Sequence, residues 1–288
     1  MAGQGAVAIQ NAQLYQDLVQ QADELKRKTR ELETANRVKE EFLSVMSHEL
    51  RTPLSVIMGY AGLIKDGLLG KINPQQDDAI KKVLARGTEQ LNMINDIMQT
   101  TQLEARSVAI ERQPEDLRDL LDQLKSDYDL RIDKKNVSLV WDYPSASVPI
   151  MTDCAKLKQI LQNLINNALK FTDEGAIRIT ARVGVGDKDL GVRAVSPSGT
   201  PNSQLPILNP RFVELKVSDT GVGIPKEKLA RIFVKFSQVD SSETRVYDGV
   251  GLGLYIVKNF CELLGGQVNA QSEVGKGATF TVRIPFPT

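Results

Sequence analysis

The chain holds one histidine, His48, so any chemistry that needs an imidazole happens there. It stands in the run SHELRTPL (Ser47 to Leu54), with a carboxylate, Glu49, beside it and a hydroxyl, Thr52, one turn further on. Free imidazole titrates near ~6.5, so a large share is uncharged at neutral pH and can attack an electrophile. Glu49 is placed to hydrogen-bond one ring nitrogen and leave the other free. Pro53 lies inside an otherwise helical pattern, where it removes a backbone hydrogen bond and costs ~3 kcal/mol or more. Such a cost points to a wanted kink or local flexibility beside the histidine. Without these neighbours a lone histidine reads as an ordinary satisfied core or surface side chain.

A second set of polar side chains lies far along the chain. In the helical pattern from Asp153 to Phe171, Asn163, Asn167 and Lys170 share one face, while Leu157, Leu161, Leu164, Ile165 and Ala168 share another. Neutral amides are poor surface chemistry beside Lys and Glu, but an amide oxygen can ligate Mg²⁺ and a lysine can meet phosphate. Alone, the stripe fits a plain polar exterior equally well. Three glycine segments follow: VSDTGVGIP (Val217 to Pro225) after a strand, DGVGLGL (Asp248 to Leu254) opening a helix, and GKGATF (Gly275 to Phe280) before the last strand. Glycine lets the backbone approach a phosphate, and a helix start aims free N–H groups at an anion. Asp219 could accept a hydrogen bond from an exocyclic amine and so select adenine. The spacing fits neither a P-loop nor a dinucleotide-binding fingerprint.

These residues need elements to hold them. Residues 7–40 contain no Gly or Pro and set Leu18, Leu25 and Leu32 seven apart, a coiled-coil seam. From Glu40 to Lys65 the apolar residues Phe42, Met46, Leu50, Pro53, Ile57, Tyr60 and Ile64 recur at steps of three and four, widened by Leu43, Leu54 and Ala61. At 100° per residue His48 falls opposite the middle of that stripe and faces solvent. Turn chemistry at Asp66 to Pro74 precedes a second helix carrying Ile80, Leu84, Gly87, Leu91, Ile94, Met98 and Thr101. Such a hairpin cannot bury both stripes alone, which predicts pairing with a second copy into a four-helix bundle.

After Ala105 short β-type runs alternate with helices. Strands are predicted at SVAIERQP, NVSLVWDY, AIRITARVGV and RFVELKVSD, helices over Glu115 to Lys134, Asp153 to Phe171 and Leu252 to Leu264, and a closing hairpin at GQVNAQSE and GATFTVRIP. This is an α+β chain with a mixed or antiparallel sheet. The Gly-, Pro- and Ser-rich stretch between Val185 and Pro210 reads as a long mobile hairpin loop.

The 288 residues suggest two domains plus a connector. Lys plus Arg and Asp plus Glu both number 36, so no net field favours nucleic acid or anionic lipid. Two cysteines without metal-ligand spacing argue against disulfide and zinc frameworks and for a reducing compartment. No signal peptide and no stretch of ~18 apolar residues is evident, which predicts a soluble, cytoplasmic chain without a membrane span.

EEFLSVMSHELRTPLSVIMGYAGLI resembles the phosphoacceptor segment of a two-component sensor histidine kinase. QILQNLINNALKFT resembles the N box of the ATP-binding family shared by histidine kinases, DNA gyrase, Hsp90 and MutL, DTGVGI its first glycine box and GVGLGL its second. IFVKFS, with Phe233 and Phe236, resembles the phenylalanine box of histidine kinases. The resemblance spans residues 38–288 and implies a dimeric four-helix bundle followed by an α/β sandwich ATP-binding domain. The expected boundaries are 1–40 for a coiled-coil signalling helix, 41–104 for dimerisation and phosphotransfer, and 105–288 for ATP binding.

By that resemblance His48 is phosphorylated, Glu49 assists proton transfer, and Glu49 with Thr52 supports phosphatase activity. Asn167 would ligate Mg²⁺, with Asn163, Lys170 and Phe171 beside the nucleotide and Asp219 on adenine. Gly249, Gly251 and Gly253 would line the lid, and Gly221, Gly223, Ile224, Leu252, Leu254 and Thr279 complete the ATP-binding set. ATP-hydrolysing relatives carry a Glu four residues before the magnesium Asn to activate water, whereas this chain has Asn163 there. The phosphate should therefore go to a protein nucleophile, and from there to an aspartate on a response regulator receiver domain. The alternatives are a non-catalytic ATP-binding scaffold and a protein-serine kinase of the mitochondrial type. GAVAIQNAQLYQDL resembles the last helix of GAF sensor domains, which implies that the signal input has been removed. The loop from Gly186 to Leu208 is longer than the resemblance leads one to expect.

Overall fold

A computed structural model describes residues 2–105, 107–129, 136–185, 211–237 and 250–286. The chain divides into two compact units, Met1–Ser107 and Val108–Thr288.

The first unit is a hairpin of two helices, α1 (Ala2–Lys65) and α2 (Pro74–Glu104). The coiled-coil segment and the histidine-bearing segment form one continuous helix, α1, which runs through Pro53. Gly67 (φ 73°) and Gly70 (φ 118°) turn the chain after it, in the left-handed region that glycine enters without cost. Asn73 then starts α2 with a capping box, its side chain accepting from Gln76 N and the Gln76 side chain accepting from Asn73 N. A cap of this kind is worth about 1 kcal/mol.

Against α2, the helix α1 turns the face that carries Leu54, Met58 and Ala61. Met58 fills the space beside Gly87, where a Cβ would meet its side chain at 2.8 Å, and Ala61 is buried. The apolar stripe centred on Met46 is a different face. Phe42, Met46, Leu50, Ile57 and Tyr60 all remain exposed within a single chain, as do Leu18, Leu25 and Leu32.

In the second unit the element order is β1 (Gln113–Asp116), α3 (Leu117–Asp129), β2 (Val137–Asp142), β3 (Pro149–Thr152), α4 (Cys154–Phe171), β4 (Gly175–Val185), β5 (Arg211–Asp219), α5 (Lys226–Leu229), α6 (Gly253–Leu263), β6 (Gln267–Glu273) and β7 (Gly277–Phe286). Five strands form one mixed sheet in the order β2-β4-β5-β7-β6, parallel between β2 and β4 and antiparallel elsewhere. Period-2 alternation turns Ile177, Ile179, Val213, Leu215, Val217, Phe280 and Val282 to one face, all buried. The apolar faces of α4 (Leu157, Leu161, Leu164, Ile165) and α6 (Ile256, Val257, Phe260) are buried with them, and the result is a two-layer α/β sandwich.

Two sequence expectations need correction. The strand predicted at 107–114 lies at Gln113–Asp116, because its partner β3 is only four residues long and pairs Gln113 with Thr152 through Asp116 with Pro149. The helix predicted from Glu115 starts at Leu117, where Asp116 accepts a hydrogen bond from Arg118 N at 2.9 Å. The far end of that predicted helix and the long loop of residues 186–208 lie outside the described residues.

Candidate functional site

On α1 the His48 side chain is 75% exposed, on the helix side opposite the Met46 stripe. Its Nδ1 stands 3.7 Å from Glu49 Oε1, close enough for electrostatic orientation but long for a hydrogen bond. Pro53 has no N–H, so the Glu49 carbonyl forgoes its partner one turn on. The Thr52 hydroxyl donates to the preceding carbonyl, His48 O, at 3.1 Å. One turn beyond the histidine, Arg51 donates to Asn95 Oδ1 on α2 at 2.7 Å.

The second unit gathers its polar groups where α4, the loop after β5, the β6–β7 turn and the start of α6 meet. Asp153 caps α4 by accepting from Lys156 N, and the helix then presents Asn163 and Asn167 on one side. That side meets the first residue of α6: a Cβ on Gly253 would lie 3.5 Å from Asn163 Oδ1 and 3.9 Å from Asn167 Nδ2. Asn163 Nδ2 is buried and has no hydrogen-bond partner among the described residues. A buried amide left without a partner costs about 1–3 kcal/mol, so this position is a candidate for an acceptor from outside the described residues. Leu252 precedes α6 without a side-chain cap, which leaves the first N–H groups of α6 available to an anion. Leu252 itself is buried, and Leu254 follows in the first turn.

Asp219 ends β5 and shares the helix-covered sheet face with its cross-strand partner Ile177. Its Oδ1 accepts from Gly221 N at 2.9 Å and Ala278 N at 3.2 Å, while Oδ2 has no partner among the described residues. Burial raises this carboxyl above the usual range, and the two backbone donors partly offset that shift. The glycine loop is locked around it. A Cβ on Gly221 would meet Phe171 O at 2.2 Å, and one on Gly223 (φ 72°) would meet Glu273 O at 2.1 Å. Ile224 N donates to Ser272 Oγ at 2.7 Å, and Val222 N donates to Phe171 O at 3.3 Å. At the end of α4 the Lys170 ammonium lies 5.1 Å from the centre of the Phe171 ring. Phe236 N donates to Gly251 O at 3.1 Å, which ties the phenylalanine segment to the second glycine segment.

Asn163 and Asn167 thus meet Gly253 at the start of α6, after Gly251 and Leu252, while Asp219, Gly221, Gly223 and Ile224 gather at the end of α4 and the β6–β7 turn, and α4 runs between the two groups. Thr279 does not join them. It pairs with Ser218 across the sheet and donates to Ser218 Oγ at 3.0 Å, on the face opposite Asp219. Gly249 lies outside the described residues. Two participants had no sequence signal: Ala278, which contributes only its N–H, and Ser272, whose hydroxyl bridges Ile224 N and Gly277 O. Among the described residues no three His, Cys, Asp or Glu side chains converge on a metal position.

Comparison with known proteins assigns both units to families. Residues 38–106 match the His Kinase A (phospho-acceptor) domain, and residues 152–288 match the family described as histidine kinase-, DNA gyrase B-, and HSP90-like ATPase. The circadian input-output histidine kinase CikA of Synechococcus elongatus is 35% identical over 98% of this chain, which spans 36% of CikA. The autoinducer 2 sensor kinase/phosphatase LuxQ of Vibrio parahaemolyticus is 35% identical over 89% of this chain, which spans 27% of LuxQ. The chain thus spans about a third of the length of these curated relatives. The crystal structure of full-length ShkA in complex with AMPPNP is similar with a TM-score of 0.62 at 31% identity, covering 86% of this chain and 46% of ShkA. With a phosphoacceptor helix pair followed by an ATPase sandwich, the chain belongs to the sensor histidine kinases and represents their transmitter core.

Proposed function

We propose that this chain transfers the γ-phosphoryl group of ATP to its own His48 and then to an aspartate on a response regulator receiver domain. The observation that carries the reading is Asn163. It sits against the α6 start, where a water-activating carboxylate would stand in an ATP hydrolase, and an amide cannot take a proton from water. Asp219 Oδ2 accepts the adenine amine, Lys170 serves the phosphates, and the orphaned Asn163 Nδ2 donates to the nucleotide.

The residues present fit magnesium as well as ATP. With no carboxylate cluster among the described residues, the ion would rest on the Asn167 amide oxygen and on phosphate oxygens, an all-oxygen set that suits it. When bound, it supplies charge neutralisation along the triphosphate.

Glu49 faces Nδ1, so the imidazole keeps its proton there and offers Nε2 as nucleophile. The N–P bond forms at Nε2 while the bond to the ADP leaving group breaks, and Glu49 takes the Nδ1 proton. Glu49 and Thr52 then orient a water for phosphatase action on the phosphorylated regulator. The exposed Met46 stripe pairs with a second copy into a homodimeric four-helix bundle. No described helix is long and apolar enough to cross a membrane, and the proposed function sets this segment in the cytoplasm. The working division is 1–40 for signalling, 41–104 for dimerisation and phosphotransfer, and 105–288 for ATP binding.

The test is labelling with γ-labelled ATP followed by mild acid. A phosphoramidate is lost in acid, whereas phosphoserine survives. Acid-labile label that disappears in His48→Gln supports the proposal, and acid-stable label overturns it in favour of a serine kinase.

A further inference from the structure

Arg51 and Asn95 form a cross-helix bond that the phosphotransfer chemistry has not used. The Arg51 guanidinium donates to Asn95 Oδ1 at 2.7 Å, joining α1 to α2 one turn from His48. Neither side chain has another hydrogen bond or ion pair among the described residues. At 100° per residue, Arg51 stands 60° from His48 on the side toward the face that packs Leu54 and Met58 against Gly87. It is therefore the tether between the packed face and the exposed imidazole.

The helix itself holds this turn weakly. Pro53 deprives the Glu49 carbonyl of its partner, and the Thr52 hydroxyl competes for the His48 carbonyl. Below the turn, Met58 is seated in the gap left by Gly87. Beside the histidine, Ser47 is buried, and well above it the Lys39 to Glu104 ion pair at 3.2 Å is exposed on its lysine side, so the polar cross-helix bond nearest the imidazole is the one from Arg51. Side-chain tips lie about 5–6 Å from a helix axis, so a 20° rotation of the turn carries the ring about 2 Å. A misplacement of about 1 Å is enough to cost roughly a hundredfold in rate.

We propose that Arg51 and Asn95 are positioning residues for phosphoryl transfer, fixing the azimuth of His48 around α1 so that Nε2 meets the incoming phosphorus in line. This rests on the histidine kinase reading above. A 2.7 Å bond does not survive a rotation that moves the ring by 2 Å, so loss of the bond frees the turn and populates unproductive orientations. The bond is exposed and contributes little to folding.

The experiment compares Asn95→Leu, Asn95→Ser and Asn95→Asp with the wild type in the full chain. It measures kcat and KM for ATP in His48 labelling, together with Tm. Leucine removes the acceptor, serine is too short to reach Arg51, and aspartate keeps the acceptor and adds charge. The expected result is a fall in kcat of about tenfold or more for the Leu and Ser variants, with KM and Tm little changed, and recovery to within about threefold of wild type in Asn95→Asp. Wild-type kcat in both the Leu and Ser variants overturns the proposal. So does a loss in all three variants that tracks a fall in Tm, which identifies a structural contact. Absence of His48 labelling in the wild type instead overturns the proposed function.

Discussion

In the proposed function Asp219 meets two demands that pull apart. Its carboxylate would accept an adenine amine in ionised form, yet burial disfavours the charge and raises its pKa. Nucleotide affinity should therefore fall as pH drops through that raised value, earlier than an exposed aspartate would allow. Stability runs the other way, because an acid whose folded pKa exceeds its unfolded one costs the fold stability as pH rises past that window. Asp219→Asn can still accept from Gly221 N and Ala278 N, but it offers an amine where adenine needs an acceptor. Titration calorimetry should show ATP binding weakened by about tenfold or more, and scanning calorimetry an equal or higher Tm without nucleotide. Unchanged affinity with a lowered Tm would contradict this role. The place of Asp219 was legible because it follows a strand run and opens a glycine loop. Thr279 was misread because a strand reverses its side chains at every residue, and only the register with Ser218 reveals which face it occupies. Ala278 was illegible because its contribution is a backbone N–H that any residue but proline would supply.

At the scale of elements, strong periodicity made α4, α6 and the long strands readable, since each buries one face along its length. The pair β1 and β3 was not, because four-residue strands show almost no alternation and are defined by each other. The division of the faces of α1 was also hidden. Its Met46 stripe and its α2-facing side overlap in sequence, and the pattern alone does not divide them. The start of α2 rests on the Asn73 capping box. Asn73→Ala should destabilise the helical unit by about 1 kcal/mol in denaturant titration and leave ATP affinity in the other unit unchanged. A cost near zero would mean that the turn of Gly67 and Gly70 sets the hairpin without the cap.

For the whole molecule, the proposed phosphotransfer calls for three things at once: a second copy against the exposed stripe of α1, a nucleotide in the sandwich, and an imidazole in water. Ile57 is exposed in one chain and sits near the middle of that stripe. Ile57→Glu should convert a sedimenting dimer to monomers at micromolar concentration without altering ATP affinity, because charges buried at such a seam cost several kcal/mol. A dimer that survives this change would place the interface elsewhere. The site of the label itself decides whether His48 is the phosphoacceptor. The full chain is incubated with γ-labelled ATP and Mg²⁺, digested at alkaline pH, and the phosphorylated peptide is sequenced. Label confined to the peptide that contains His48, and absent when Asp219→Asn replaces the wild type at low ATP concentration, is the predicted result. Label on any other residue, or phosphate released to water without a labelled chain, would contradict it.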